Sequence, residues 1–295
     1  MYLILNIYAD EWKDYEILDA GDGMKLERWK DIILARPDPQ AIWAPQNPGL
    51  WKKALARYER SNTGGGRWIG LEKIPKKWTI KYKNLDFYVE PTNFKHTGLF
   101  PEQAANWEWM SELVRKRVSQ GKTVKVLNLF GYTGGATVAV SAAGAKVCHV
   151  DASKGIVQRA KENAALSHLE GNEIRYIVDD AFKFVAREIR RGNAYDGIIM
   201  DPPSYGRGPG GEVWKLEDCL YSFVADAFKL MSSEPLFFLL NSYTTGFSSV
   251  VTSNMIKALY KKDGGIVEHG DLCIPITSLR DGYLPCGSYA CWKER

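Results

Sequence analysis

The sequence predicts an α/β protein with a doubly wound, seven-stranded, mostly parallel sheet and a smaller strand-rich domain before it. The first observation is a regular alternation, from residue 124 onward, of short apolar runs with segments of helical periodicity. Continuous apolar runs are typical of parallel strands covered by helices on both faces. The second observation is a change of sequence pattern near residue 97, from strand-like alternation before it to helical spacing after it. We therefore expect an accessory domain over residues 1–97, a candidate for substrate binding, and a main domain over 98–295.

The elements of the main domain can be assigned in order. Apolar and charged residues at helical spacing predict a helix over 101–121, with Gly121 as its C-cap. Strands are expected at 124–130, 145–151, 174–180, 195–201 and 235–242, and helices at 135–144, 155–169 and 181–192. The last two strands, 264–276 and 283–294, have no helix between them, which predicts an antiparallel edge.

The accessory domain shows an uneven distribution of charge. Residues 80–91 alternate in polarity, which predicts a β-hairpin turning at Asn84-Leu85-Asp86. Residues 1–50 carry a net charge of −4, and residues 51–83 carry +8 with Trp and Tyr interleaved among the basic residues. Two interpretations stay open for this basic stretch. It either contacts phosphates and stacks on bases, or it is a solvated basic face over a small aromatic core.

Composition excludes several classes of protein. The 295 residues carry a net charge of +4, and the sequence contains no run near the ~20 apolar residues that a membrane-spanning helix requires. The five cysteines are scattered without a CxxC pair, so neither a disulfide framework nor a metal site is expected. The N-terminal MYLILNIYADEW reaches acidic residues too early for a signal peptide. We expect a cytoplasmic protein with no membrane partner.

Distinctive residues follow four of the expected strands. The first strand leads into the glycine-rich segment 131–135, the second ends at Asp151, the third at Asp179-Asp180 and the fourth at Asp201-Pro202-Pro203. Ligands of open parallel sheets bind outside the carboxyl ends of the strands. Glycines there allow a ligand to approach backbone N–H groups, and a carboxylate twenty residues later can accept the hydroxyls of a ribose. The glycine segment does not match GxGxxG, which disfavours a dehydrogenase.

Residues 94–295 resemble the class I S-adenosylmethionine-dependent methyltransferases, and more narrowly the bacterial large-subunit ribosomal-RNA methyltransferase I/K-like group. The motifs that carry the resemblance are FKHTGLFPEQAANW (94–107), VLNLFGYTGGAT (126–137), VDAS (150–153), VDDAF (178–182), DPPSYGRG (201–208) and LPCGSYACW (284–292). The resemblance implies a Rossmann-like catalytic domain over 98–295. The PUA domain with which larger members of the group begin is not recognisable here.

The resemblance implies a binding site for S-adenosylmethionine. Its methionine end would be lined by Asn128, Phe130, Gly131, Tyr132, Thr133 and Gly134. The ribose and adenine would meet Asp151, Ala152, Ser153, Asp180 and Ala181, and Asp201 would also lie at the cofactor. A loop that covers the cofactor in the family corresponds here to Phe94, Lys95, Thr97, Phe100 and Gln103. An interdomain linker is the alternative for that loop.

The expected catalytic residues are Asp201, Pro202, Pro203, Ser204 and Tyr205. In nucleic-acid amino methyltransferases an aromatic residue follows Asp-Pro-Pro, whereas here Ser204 takes that position and Tyr205 follows it. Cytosine-C5 methyltransferases need a cysteine nucleophile. Related enzymes with that activity carry it after the fifth strand, where this chain has residues 241–245 without cysteine. A nitrogen target is therefore favoured over cytosine C5.

The sequence thus predicts a methyltransferase that acts on a base of RNA, with ribosomal RNA as the expected substrate. A loop over residues 205–217, with Arg207, Trp214 and Lys215, is expected on the substrate side. The alternatives are a methyltransferase for a small molecule or a protein, and a cofactor-binding RNA-interaction module without catalysis. RNA is the expected partner, and a homodimer is one assembly that the sequence allows.

Overall fold

The structure, a computed structural model, describes residues 5–61, 65–207, 213–244, 246–260 and 263–295. The strands are β1 (Ile7–Tyr8), β2 (Tyr15–Gly21), β3 (Met24–Trp29), β4 (Ile32–Pro37), β5 (Ala56–Arg60), β6 (Gly66–Ile69), β7 (Trp78–Tyr82), β8 (Leu85–Val89), β9 (Lys125–Leu129), β10 (Lys146–Asp151), β11 (Ile174–Val178), β12 (Gly197–Met200), β13 (Tyr205–Arg207), β14 (Val213–Lys215), β15 (Phe237–Ser242), β16 (Gly265–Pro275) and β17 (Tyr283–Glu294). The α-helices are α1 (Ala104–Ser119), α2 (Gly135–Ala142), α3 (Lys154–Leu166), α4 (Ala181–Arg191), α5 (Leu216–Phe228) and α6 (Ser249–Leu259).

The chain divides into two compact units. Of the described residues, unit 1 contains those in Met1–Ile7, Asn106–Asp271 and Gly287–Arg295, and unit 2 contains those in Tyr8–Ala105 and Leu272–Cys286. The units differ from the expected split at residues 97 and 98, because a segment of the last two strands is assigned to unit 2. The functional assignment of 1–97 and 98–295 as two domains stays a prediction.

An eight-stranded sheet runs in the order β1-β16-β17-β15-β12-β9-β10-β11. The pairs from β11 to β15 are parallel, and β15 pairs with β17 antiparallel. This confirms the doubly wound, mostly parallel sheet with an antiparallel edge. All seven expected strands are present, and the eighth is the two-residue β1. The order reverses at β9, because β10 and β11 lie on one side of it and β12 and β15 on the other.

The central strands of this sheet are buried, as their continuous apolar runs predict. All residues of β12 and β15 are buried, whereas the outermost strand β11 is partly exposed. Gly197 of β12 lies opposite Phe237 of β15. A Cβ atom at Gly197 would lie 2.5 Å from the Phe237 ring, so glycine makes room for this ring in the sheet.

Unit 2 contains a second sheet in the order β2-β3-β4-β5-β6 and a separate β7-β8 hairpin. The hairpin is the one expected from residues 80–91. Tyr82 pairs with Leu85, so the turn consists of Lys83 and Asn84 rather than 84–86. The turn begins one residue earlier than expected because Lys83 adopts the left-handed conformation, with a φ of 51°, that a two-residue hairpin turn requires.

The basic stretch 51–83 separates its charges from its aromatic rings. Tyr58 and Tyr82 are buried, and the indole N–H groups of Trp51 and Trp68 donate to Asp19 and to the Thr92 carbonyl. All of its basic side chains are exposed: Lys52, Lys53, Arg57, Arg60, Arg67, Lys73, Lys76, Lys77, Lys81 and Lys83. The stretch therefore has a basic face over an aromatic core, and its exposed cations remain open to the phosphate contacts of the other interpretation.

We predict that Gly197→Ala destabilises the protein by about 1–3 kcal/mol, because the added methyl group overpacks the sheet against Phe237. The measurement is the midpoint of urea-induced unfolding at constant m-value. Gly171→Ala is the matched control, since a Cβ atom there would meet no other atom within 4 Å. Equal midpoints for the two variants would contradict the packing argument.

Candidate functional site

Three parallel strands end at the same edge of the main sheet. Leu129, the last residue of β9, is in register with Val150 of β10 and with Met200 of β12. The residues after these strand ends therefore lie along one edge, beside the point where the strand order reverses. Asp151 and Asp201 are both placed there. This is the edge at which open α/β sheets bind ligands.

The segment after β9 follows an unusual backbone path. Phe130 and Tyr132 have positive φ angles of 57° and 49°, and Gly134 has a φ of 83°. Each non-glycine residue in this region costs on the order of 1 kcal/mol and persists only where the surroundings enforce it. The Gly131 N–H donates to the Val150 carbonyl at 3.0 Å. This hydrogen bond ties the segment to the neighbouring strand.

The buried side chain of His149 packs against this segment at Gly131. The ring of His149 is fully buried, and a Cβ atom at Gly131 would lie 2.4 Å from it, so only glycine fits there without displacement. The Asn128 amide donates to Thr137 Oγ1 at 2.9 Å, and Thr137 Oγ1 lies 2.9 Å from His149 Nδ1. Burial lowers the pKa of His149 to about 4, so its ring is neutral at pH 7.

Asp151 is the most strongly connected of the expected ligand residues. Its two carboxylate oxygens accept the backbone N–H groups of Tyr132, at 3.1 Å, and of Ser153, at 2.9 Å. Burial raises the pKa of Asp151, although both hydrogen bonds act in the opposite direction. The carboxylate is therefore incompletely solvated in the protein, and hydroxyl donors from a ligand would compensate for this.

The two aspartates after β11 have different surroundings. Asp179 forms an ion pair with Arg187. Asp180 is the N-cap of α4, and one of its oxygens accepts the Lys183 N–H at 2.9 Å. Ala181 begins the helix and is buried. Asp180, the member of the pair named as a ligand, is thus also explained by its structural role as a helix cap.

The expected catalytic segment follows β12. Asp201 is half-buried and Pro202 is buried, while Pro203, Ser204 and Tyr205 are exposed. The Thr244 hydroxyl, which follows β15, donates to the Ser204 hydroxyl at 2.6 Å. The expected substrate-side loop is described only in part, because residues 208–212 and the side chains of Arg207 and Trp214 lie outside the described part of the chain. Thr245, after β15, also lies outside it.

Several polar residues of the site were not identified from the sequence. The buried Asn163 of α3 donates to the Thr133 carbonyl at 2.8 Å, and Asn106 donates to Asn241 Oδ1 at 3.0 Å. Thr244 belongs to the same group. An isolated polar residue in a helix or after a strand forms no sequence pattern that would indicate a site. Asn106 is the exception, because it lies within the family motif over 94–107.

Five of the expected ligand residues belong to unit 2. Thr97 is fully buried, and its hydroxyl has no hydrogen-bond partner among the described residues. Gln103 is buried, Lys95 and Phe100 are half-buried, and the Phe94 ring is 64% exposed. All five lie within residues 94–103. Their role in binding a cofactor stays a prediction.

The described residues contain neither a metal-binding cluster nor a membrane-spanning helix. No group of three or more His, Cys, Asp or Glu side chains within them could hold a metal ion. No helix among the described segments is long and apolar enough to cross a membrane. The cysteines all carry free thiols, and Cys148, Cys273 and Cys291 are buried.

Comparisons with known proteins give a consistent result. The sequence profile of a family described as S-adenosylmethionine-dependent methyltransferase matches residues 41–213. A solved structure of a SAM-dependent methyltransferase from Agrobacterium tumefaciens is 35% identical, with a TM-score of 0.89 over 100% of this chain and 98% of that one.

Two curated relatives have names that include a substrate. The ribosomal RNA large subunit methyltransferase K/L of Shewanella baltica is 28% identical over 209 residues, which cover 68% of this chain. The chain spans only 27% of the length of that relative. The ribosomal RNA large subunit methyltransferase K of Neisseria meningitidis serogroup B is 26% identical, over 81% of this chain and 68% of the relative.

We predict that the buried His149 makes stability fall in acid. The unfolded histidine takes up a proton near pH 6.5, whereas the folded one does so near pH 4. The unfolded state therefore binds more protons between these values, and His149 contributes about 3 kcal/mol above pH 6.5 that is lost as the pH falls through 4. The free energy of unfolding of His149→Gln, measured against pH in urea, should approach that of the wild type over this range.

The exposed His168 provides the control. His168→Gln removes an exposed imidazole and so controls for the loss of a histidine as such. Parallel curves for His149→Gln and the wild type would show that the buried imidazole does not resist protonation.

Proposed function

Because this chain belongs to the S-adenosylmethionine-dependent methyltransferase family, we propose that it transfers a methyl group from S-adenosylmethionine to a base of RNA, with a nitrogen atom as acceptor. The observation that carries the proposal is the incompletely solvated carboxylate of Asp151 beside the glycine segment 131–135. The RNA substrate is supported by the names of the Shewanella and Neisseria relatives.

The residues at the strand ends fit the cofactor. Each oxygen of Asp151 accepts one backbone N–H and has further acceptor capacity, which suits the two hydroxyls of an adenosine ribose. Gly131 and Gly134 pack against His149 and Ala160, where a Cβ atom at either position would clash. Glycine at both positions therefore lets the segment after β9 pack closely against β10 and α3.

We assign the following roles at the cofactor. Asp151 binds the ribose, and the segment after β9 contacts the methionine end through Phe130, Gly131, Tyr132, Thr133 and Gly134. Ala152, Ser153, Asp180 and Ala181 flank the adenine. The amide of Asn128 is buried and donates to Thr137, so we revise its role from ligand contact to support of the segment. When bound, the cofactor supplies an electrophilic methyl group on a sulfonium.

The segment Asp201 to Tyr205 is proposed to hold the target base. Asp201 accepts a hydrogen bond from the target nitrogen, which orients its lone pair. Pro202 and Pro203 have no backbone N–H, so neither of these two residues can donate from its backbone to that carboxylate. The Tyr205 ring is 50% exposed, and we assign it to stack on the base. Ser204 accepts a hydrogen bond from Thr244, and we assign it a positioning role.

The nitrogen acceptor is supported by the residues after β15. Carbon methylation at cytosine C5 requires a cysteine that adds to the ring. The chain has no cysteine between residues 229 and 272. The free thiols of Cys148 and Cys291 are buried, and burial raises their pKa to about 11 and 12, so they are protonated at pH 7. A nitrogen with an available lone pair needs no such nucleophile.

We predict that Asp151→Ala weakens S-adenosylmethionine binding by about 1–3 kcal/mol, which corresponds to about 5- to 150-fold in Kd. The cause is the loss of charge-assisted hydrogen bonds to the ribose. Isothermal calorimetry measures the effect. Asp151→Asn keeps an acceptor for the backbone while removing the charge and should show a smaller loss. Asp226→Ala, on the surface of α5, is the control, and an unchanged Kd for Asp151→Ala would exclude the ribose assignment.

We predict that the purified protein transfers label from radioactive S-adenosylmethionine into ribosomal RNA of a strain that lacks the gene, and not into RNA of the parent strain. Asp201→Asn should reduce this rate by about 10²-fold, because it weakens the acceptor that orients the target nitrogen. Asp226→Asn serves as the control. Nucleoside mass spectrometry identifies the methylated base. Incorporation only into protein or small molecules, or into C5 of cytosine, would contradict the proposal.

A further inference from the structure

Residues 92–96 of unit 2 form a short loop that is held by an unusual number of hydrogen bonds. The Thr92 N–H donates to the His96 carbonyl at 2.9 Å, and Thr92 Oγ1 accepts the Phe94 N–H at 3.2 Å. The indole N–H of Trp68, from β6, is shared between the Thr92 and Phe94 carbonyls at 2.9 and 3.0 Å. The loop is therefore closed on itself and anchored to the edge strand of the second sheet.

A buried ion pair anchors the same loop from the interior. Arg36 Nη1 donates to the Lys95 carbonyl at 2.8 Å. The other nitrogens of Arg36 make two hydrogen bonds to Glu27, which is fully buried and also accepts the Tyr15 hydroxyl at 2.7 Å. The Arg36 guanidinium is thereby fixed in one orientation. A loop held in this way keeps a single conformation.

This fixed loop presents an aromatic ring to solvent. The Phe94 ring is 64% exposed, although each of its backbone groups described above is engaged. A single exposed apolar side chain is ordinary by itself. Here the backbone of the loop is also held by hydrogen bonds from Trp68 and Arg36, which preorganises the ring at the surface. A preorganised ring loses little entropy when a partner stacks on it.

Two cations lie near this loop. Arg60 is exposed on the face of β5 that carries Tyr58, the cross-strand partner of Trp68. Lys95 lies in the loop itself and is half-buried, with its Nζ 3.5 Å from the Pro37 carbonyl. Neither cation has an acidic partner among the described residues. Burial lowers the pKa of Lys95, and the charges of Lys25, Arg36 and Arg60 lower it further, whereas Asp38 opposes them. The positive charge at this loop is therefore incompletely compensated. An anionic ligand would compensate for it.

We propose that residues 92–96 are an RNA contact, in which the Phe94 ring stacks on an unpaired base and Arg60 and Lys95 contact the adjacent phosphates. An aromatic platform flanked by cations is the chemistry by which proteins bind single-stranded nucleic acid. This inference rests on RNA being the substrate. For Phe94 and Lys95 it replaces the cofactor role that the family resemblance implies.

The test of the ring uses Phe94→Leu, which removes the aromatic face but keeps an apolar side chain, and Phe94→Trp, which keeps a stacking surface. Binding affinity is measured for two probes: a fluorescent single-stranded oligoadenylate, and the duplex that the same strand forms with oligouridylate. Phe94→Leu should weaken single-strand binding about 5- to 100-fold and leave duplex binding unchanged, and Phe94→Trp should retain the wild-type affinity. Tyr221→Leu, which removes another exposed ring on α5, should have no effect.

The test of the charges compares two arginines on opposite faces of β5. Arg60→Gln should lower the slope of log affinity against log salt concentration by about one, because one phosphate contact is lost. Arg57→Gln removes an equal charge from the other face and should change the slope less. Equal changes for both variants would show that the face carries only a diffuse positive field, and would overturn the proposed contact.

Two further outcomes separate this inference from the proposed function. If Phe94→Leu weakens S-adenosylmethionine binding in calorimetry and not RNA binding, Phe94 belongs to the cofactor site and the inference is wrong. If the wild type binds the single strand through Phe94 but methylates no RNA, the proposed function fails and the inference stands. If the wild type does not bind the single strand, the inference fails even where methylation of ribosomal RNA is observed.

Discussion

The ends of three parallel strands are tied together at Asp151. Its carboxylate accepts the backbone N–H of Tyr132, after β9, and that of Ser153, at the start of α3. Its own carbonyl accepts the N–H of Asp179, after β11, at 3.1 Å. One residue therefore fixes the relative positions of the segments that follow β9, β10 and β11. The same carboxylate is incompletely solvated, so the residue that organises this edge of the sheet is also suited to bind a ligand there.

The left-handed residues after β9 depend on this arrangement. Phe130 and Tyr132 are stable in their conformations because Gly131 is bonded to β10 and packed on the His149 ring. A neutral, buried imidazole fills the space that the absent side chain of Gly131 leaves. Hydrogen bonds through Thr137 fix the ring in place. The strain in the segment is thus balanced by packing within unit 1, and the backbone remains available to a ligand.

Unit 2 uses buried charge for a comparable purpose. The pairing of Arg36 with Glu27 leaves one guanidinium nitrogen for the Lys95 carbonyl. A buried ion pair contributes little net stability once the cost of desolvating both groups is counted. Its effect here is to orient the Arg36 guanidinium. Glu27 fixes one edge of this planar group, so the other edge can hold the loop through the Lys95 carbonyl. The exposed Phe94 ring is the consequence of that orientation.

The sequence by itself determined the alternation of strands and helices, the parallel sheet with its antiparallel edge, and the grouping of Asp151 and Asp201 at one edge. These features depend on apolar periodicity and on the rule that parallel strands present their carboxyl ends together. Only the tertiary structure decided which polar groups meet. The buried Asn128, the support of Gly131 by His149 and the contact of Thr244 with Ser204 join residues that are distant in sequence and follow no periodic pattern. It also decided that the cations of the basic stretch are exposed while its rings are buried or half-buried, because burial depends on which face of each strand packs against the core.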